Sequence, residues 1–179
     1  MCYNEVGDGM EKSCGAIVYK KEDGEYKYLL VYQKNGHYSF PKGHVEDNET
    51  EIETALREIK EETNLSVEID SNFRYRIEYF IESKNVMKEA IYFVAHPNSH
   101  DLKNQEGEII SCNWYSYKEV MNLLEFENSK EVFQNASEYI ESSNVKTILY
   151  NKDELNLKDI NKNTIRIKAV IENEKNQIL

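Results

Sequence analysis

Residues 13–19 (SCGAIVY) and 26–33 (YKYLLVYQ) are rich in β-branched and aromatic side chains, and the polar segment KKEDGE lies between them. Apolar runs bounded by turn residues predict two strands joined as a hairpin. Residues 34–48 break the pattern. They hold Gly36, Gly43 and one of the chain's two prolines, Pro41, and so predict a long loop of the kind that carries function. From 49 to 63 the period becomes helical, with Ile52, Ala55, Leu56 and Ile59 on one apolar stripe. Asn48 and Glu51 have the spacing of an N-terminal capping box, and Asn64 suits the left-handed residue that ends a helix. Strand character resumes at 67–69, 73–81, 87–95 and 108–115. Helices follow at 117–124, with Ser116 as cap, and at 129–142. Strands that surround one helix and then give way to helices predict an α/β fold, a mixed sheet with helices on its faces.

The 179 residues, 40% of them hydrophobic, suit one domain with its own core. The pattern divides them into an N-terminal segment at 1–12, a compact unit at 13–142 and an extension at 143–179. The extension has no Gly or Pro, seven Asn, and one alternating run, TIRIKAVI, at 164–171. It reads as an added strand, a helix or an interaction tail. No stretch approaches the roughly 18 apolar residues of a membrane span, and 1–12 lack the basic-then-apolar order of a signal peptide. A cytosolic protein without a membrane partner is the expectation. Cys2, Cys14 and Cys112 are odd in number and widely spaced, unlike a zinc site, and read as reduced thiols, with Cys14 and Cys112 in strands.

Charge adds a constraint. Lys and Arg number 22 against 33 Asp and Glu, a net charge of −11. Free duplex DNA is therefore a poor candidate partner, since that affinity rests on neutralising phosphates. Eight of the acids and only two bases fall between Glu46 and Glu62. Glu58, Glu61 and Glu62 span an arc of about 100° on the helix, so three carboxylates share one side. Such like charges repel and raise one another's pKa unless a cation sits among them. Hard oxygen ligands without Cys or His suit Mg²⁺ or Mn²⁺. Taken alone, the three acids also fit an ordinary solvated helix face.

The wider spacing decides between these readings. Gly43, five residues, Glu49, seven residues, Arg57-Glu58, one apolar residue, any residue and Glu61-Glu62 is similar to the Nudix box. Six fixed residues coincide by chance on the order of once in 10⁷ windows. Asn64 stands where the pattern has Gly, a change that preserves a left-handed helix end. The resemblance implies a Nudix fold, an α/β/α sandwich with a mixed β-sheet between helices. It also implies metal-assisted water attack on the phosphorus of a nucleoside diphosphate linked to another group. By the same resemblance Glu58, Glu61 and Glu62 are metal ligands together with the Gly43 carbonyl, and Arg57 pairs with Glu49 to hold helix and loop. Phosphoryl transfer of this kind depends on positioning and charge neutralisation.

The segment HYSFPKGHVE at 37–46, the helix, KEAIYFVA at 88–95 and EGEIISCNW at 106–114 resemble the asymmetrical diadenosine tetraphosphate hydrolases, over roughly 13–142. That resemblance implies a dinucleoside polyphosphate substrate. Glu108, six residues before Trp114, matches a site glutamate, a further ligand or general base; Glu106 is its competitor. Lys42, His44 and Lys88 match polyphosphate-contacting positions, and His37 lies in the same loop. Both histidines also read as plain surface residues. Phe126 matches a base-stacking aromatic, with a core helix position as the other reading, and Tyr79 is a further substrate-side candidate. The competing functions are another Nudix substrate (an RNA 5′ end, a diphosphoinositol phosphate or an oxidised nucleoside triphosphate) and a non-catalytic nucleotide-sensing module.

Overall fold

The computed structural model describes residues 10–82, 84–99, 101–104 and 107–143. The alternating run TIRIKAVI lies outside them, as does Glu106. Among the described residues the elements run β1 (Glu11–Glu22), β2 (Glu25–Gln33), β3 (Tyr38–Ser39), β4 (Lys42–His44), α1 (Glu51–Thr63), β5 (Val67–Ile81), β6 (Val86–Pro97), β7 (Ile109–Tyr115), α2 (Tyr117–Leu123) and α3 (Glu127–Ser143).

The sheet is mixed. Its path is β3-β2-β1-β6-β5, with β7 on the far edge of β2 and β4 on β1. β1 and β6 are parallel and the other pairs antiparallel. The β1–β2 hairpin follows from its turn, where Asp23 (φ 51°) and Gly24 (φ 85°) both take left-handed geometry. Alternation along β1 sends Cys14, Ala16 and Val18 to one face, where they pack with Ala55 and Ile59 of α1. Ile17 and Tyr19 go to the other face, against Val132, Phe133, Ala136 and Ile140 of α3. Helix, sheet and helix thus form three layers around two apolar clusters. Cys14 and Cys112 are buried free thiols in β1 and β7. No helix among the described residues is long and apolar enough to cross a membrane.

Several expected boundaries move. Residues 67–81 form one strand rather than two, with a register shift between Asp70 and Tyr75 that absorbs the polar interruption. Part of the 34–48 loop pairs as β3 and β4. The cap of α1 is Thr50, which accepts from the Glu53 amide while Glu53 reaches back to the Thr50 amide; Asn48 instead takes a left-handed turn, φ 71°. Asn64 ends the helix at φ 60°, as expected. Ser116 caps α2 with Glu119 closing its box.

The apolar stripe of α1 is also displaced. Ile52 and Leu56 remain 36% and 37% exposed, whereas Ala55, Ile59 and Glu62 are buried. At about 100° per residue Glu62 lies only about 20° around the axis from Ala55. The helix is therefore rolled toward its acidic side, which brings Glu58 and Glu62 in against the sheet.

Candidate active site

The site forms where β1 and β2 part. β1 pairs with β2 from Tyr19 to Glu22, while its earlier residues Ser13, Cys14 and Gly15 pair with His44, Gly43 and Lys42 of β4. Gly15 permits this insertion. A Cβ there would lie 2.1 Å from the Pro41 carbonyl oxygen and 2.4 Å from Lys42 Cβ. An isolated glycine within a strand signals such close approach, and Gly15 in SCGAIVY carries that signal, although it was not among the expected site residues. Gly43 answers the same need toward α1. A Cβ at 43 would lie 2.1 Å from Glu58 Cδ, so the glycine makes room for that carboxylate.

Arg57 ties helix to loop. Its Nε and one terminal nitrogen donate to the two oxygens of Glu49 at 2.7 and 2.9 Å, and the latter nitrogen also donates to the His44 carbonyl at 2.8 Å. The other terminal nitrogen donates to Glu58 at 2.8 Å and Glu61 at 3.2 Å. Glu49 also accepts from the Thr54 hydroxyl at 2.9 Å and the Glu46 amide at 3.1 Å. Arg57 chiefly holds the Glu49 carboxyl down at about 2. Thr54 had no distinguishing mark in the sequence, since a helical threonine reads as neutral.

The three motif glutamates occupy unlike environments. Glu61 is half exposed, Glu58 mostly covered and Glu62 buried. Burial pushes the Glu62 carboxyl up to about 8, against the attraction of Lys42; Glu58 and Glu108 push it the same way as burial. Glu62 accepts from the Lys42 amide at 3.2 Å. Burial also raises Glu58, with Arg57 opposing, and lowers the Lys42 ammonium, with Glu62 and Glu58 opposing. Among the described residues no three His, Cys, Asp or Glu side chains close around one point. The donor set nonetheless fits a hard divalent ion. Its members are carboxylate oxygens, and buried Glu62 lacks enough nearby positive charge to be favoured as an anion.

The remaining candidates flank these acids. Lys88, buried in β6, lies opposite Glu11 in β1 and Tyr79 in β5, so Tyr79 borders Lys88. Burial, then Lys42, lowers the Lys88 ammonium. The His44 ring contacts Glu11 at 3.0 Å, a partner that the sequence did not single out. His37 contacts Glu125 at 2.9 Å and lies against Phe126 in a tilted ring contact, with centroids 5.3 Å apart. Phe126 is 53% exposed in the α2–α3 connection. The core-helix reading of Phe126 is thereby overturned: its ring is presented beside His37. Glu108 is exposed just before β7 rather than within it, and its carbonyl accepts from the Lys34 amide at 3.0 Å. It lines a cavity of about 230 Å³ with Gln33, Lys34, Asn35, Gly107 and Ile109.

Known proteins resemble this chain in sequence and in fold. The chain is 28% identical to the pig bis(5′-nucleosyl)-tetraphosphatase (asymmetrical) over 141 residues, covering 72% of this chain and 95% of the pig protein. It is 26% identical to the Caenorhabditis elegans enzyme of the same name, covering 72% of this chain and 96% of that one. In structure it superposes on a C. elegans Ap4A hydrolase binary complex with a TM-score of 0.69 at 23% identity, covering 74% of this chain and 99% of the other. The NUDIX domain model matches residues 11–136, which span both the motif helix and the sheet it packs on. The chain accordingly belongs to the Nudix hydrolase family.

Proposed function

We propose that the protein hydrolyses diadenosine tetraphosphate to ATP and AMP by water attack on phosphorus, in the presence of Mg²⁺ or Mn²⁺. One observation carries the reading. Glu58 is fixed between Gly43 and Arg57 while Glu62 is buried beside Lys42, so the acids are positioned before any substrate arrives. The named relatives, matched over most of their length, support the choice of substrate.

Glu58, Glu61, Glu62, Glu108 and the Gly43 carbonyl are the groups that would hold divalent ions. Bound ions would offset phosphate charge and make water more acidic. The chain's own residues divide the remaining work. Arg57 orients Glu58 and ties the loop to the helix, which makes it a positioning residue. Glu108 or Glu58 accepts the proton of the attacking water. Lys42 and Lys88, aided by His44 and His37, meet a chain carrying about four negative charges. Phe126 stacks on a base, and Tyr79 closes the side next to Lys88. The reading extends to a cytosolic setting, supported by the buried free thiols of Cys14 and Cys112.

A product-resolved substrate panel with Mg²⁺ and Mn²⁺ tests the proposal. ATP plus AMP should form from diadenosine tetraphosphate far more efficiently than products from a capped RNA, a diphosphoinositol phosphate or an oxidised nucleoside triphosphate. Preference for one of those would reassign the substrate, and no product from any would favour a sensing module. Glu58→Gln should lower turnover by orders of magnitude with the fold intact; near wild-type turnover would remove it from the site.

A further inference from the structure

Among the described residues two buried side-chain oxygens have no hydrogen-bond partner, Ser13 Oγ and Ser39 Oγ. Ser13 is fully buried. A hydroxyl carries one proton to donate and two lone pairs, and buried groups of this kind are almost always paired. Its position in the sheet indicates what the partner would be.

Register sets Ser13 opposite His44 in β4 and opposite Ala90 in β6. Two residues further, Gly15 lies opposite Lys42; two residues back, Glu11 lies opposite Lys88. Opposed residues share a sheet face, and alternate residues of a strand return to it. Lys42, His44 and Lys88 therefore stand around Ser13 on one face, where Ala90 adds little bulk and the place of a side chain at Gly15 is taken by the Pro41 carbonyl and the Lys42 stem. Glu11 contacts the His44 ring at 3.0 Å and accepts from Lys84 at 3.3 Å, so its carboxylate is engaged at the rim. Exposed His44 and the flexible stem of Lys88 are the parts beside the hydroxyl that can swing aside.

We propose that Ser13 donates its Oγ–H to a phosphate oxygen of the bound polyphosphate, on the sheet face that it shares with Lys42, His44 and Lys88. This rests on the proposed hydrolase reading and adds a neutral donor to its cations. A hydroxyl aimed at an anion contributes direction where ammonium groups contribute charge, and it fixes which phosphate oxygen is held. Its lack of a partner within the protein leaves it free for that bond.

The test compares wild type with Ser13→Ala and Ser13→Cys in three measurements: calorimetric titration with inorganic tripolyphosphate in Mg²⁺, unfolding by urea without ligand, and steady-state hydrolysis of diadenosine tetraphosphate. Ser13→Ala should weaken tripolyphosphate binding about tenfold, the size of one hydrogen bond to a charged group. It should raise KM more than it lowers kcat and leave the unfolding midpoint unchanged or higher, because alanine removes an unmet polar group. Ser13→Cys, a weaker donor of similar size, should fall between. Equal tripolyphosphate affinity in wild type and Ser13→Ala, no binding by wild type, or a lowered unfolding midpoint in Ser13→Ala would each overturn the proposal. If wild type leaves diadenosine tetraphosphate intact but Ser13→Ala still loses tripolyphosphate affinity, the substrate assignment fails and the Ser13 role stands. Intact hydrolysis with equal affinities gives the reverse.

Discussion

The Cα of Gly43 lies directly against the carboxylate of Glu58: a Cβ at position 43 would fall 2.1 Å from Cδ and from Oε2 and 2.2 Å from Oε1. These separations are far inside van der Waals contact. Gly43→Ala must therefore displace Glu58 or push β4 away from α1. Misplacement of a positioned group by about 1 Å costs on the order of 10²-fold in rate. We expect kcat to fall by about that factor while circular dichroism and the unfolding transition remain close to wild type. Unchanged kcat would mean that Glu58 does not act from this position.

Arg57 serves Glu49, Glu58, Glu61 and the His44 carbonyl at once, a pattern that needs the planar fork of a guanidinium. Lysine keeps the charge and loses the geometry. Arg57→Lys is expected to reduce activity about 10- to 100-fold, partly recoverable at higher Mg²⁺, as losses of a supporting shell generally are. Activity measured across a metal titration checks this; a curve superimposable on wild type would reduce Arg57 to a surface ion pair.

Glu62 gives a pH dependence of defined sign. Its carboxyl sits at about 8 in the folded chain against an ordinary 4.5, mainly because of burial. The folded state thus binds this proton more tightly than the unfolded state. Its stabilising effect is complete below about 4.5 and is lost as pH rises through about 8. With divalent ions chelated, Glu62→Gln should unfold at higher temperature than wild type near pH 8, with little difference near pH 4, while hydrolysis in Mg²⁺ falls by orders of magnitude. Thermal scans in EDTA at several pH values provide the measurement.

The acid limb has the opposite sign and a different origin. Arg74 donates to both oxygens of Glu51 at 2.6 and 2.7 Å, and Lys12 adds a bond at 2.6 Å. Arg74 leads in holding the Glu51 carboxyl at about 2. This contribution is present above the unfolded value near 4.5 and lost as pH falls through about 2. Because these groups are partly solvated, the effect is modest. Glu51→Gln should flatten the fall of the urea midpoint between pH 5 and 2, and an unchanged slope would assign that limb to other carboxylates.

Local chemistry carried most of the reading from sequence. The hairpin around Asp23 and Gly24, the left-handed end at Asn64 and the cap at Ser116 depend on a few neighbouring residues, and the structure agrees with each. The spacing from Gly43 to Glu62 was equally legible, because loop and helix are continuous in the chain. Three features needed the fold. The roll of α1, which buries Glu62 and exposes Ile52 and Leu56, depends on how closely β4 lets the helix approach. The buried hydroxyl of Ser13 acquires Lys42, His44 and Lys88 as neighbours only through pairing with β4 and β6. Phe126 meets His37 across 89 residues of chain. The sequence by itself determined which groups could perform the chemistry, since side-chain type and short-range spacing are written along one chain. Tertiary structure decided that Glu62 is the buried carboxylate and that Lys42 lies beside it, because burial and long-range charge arise only when distant strands pack together.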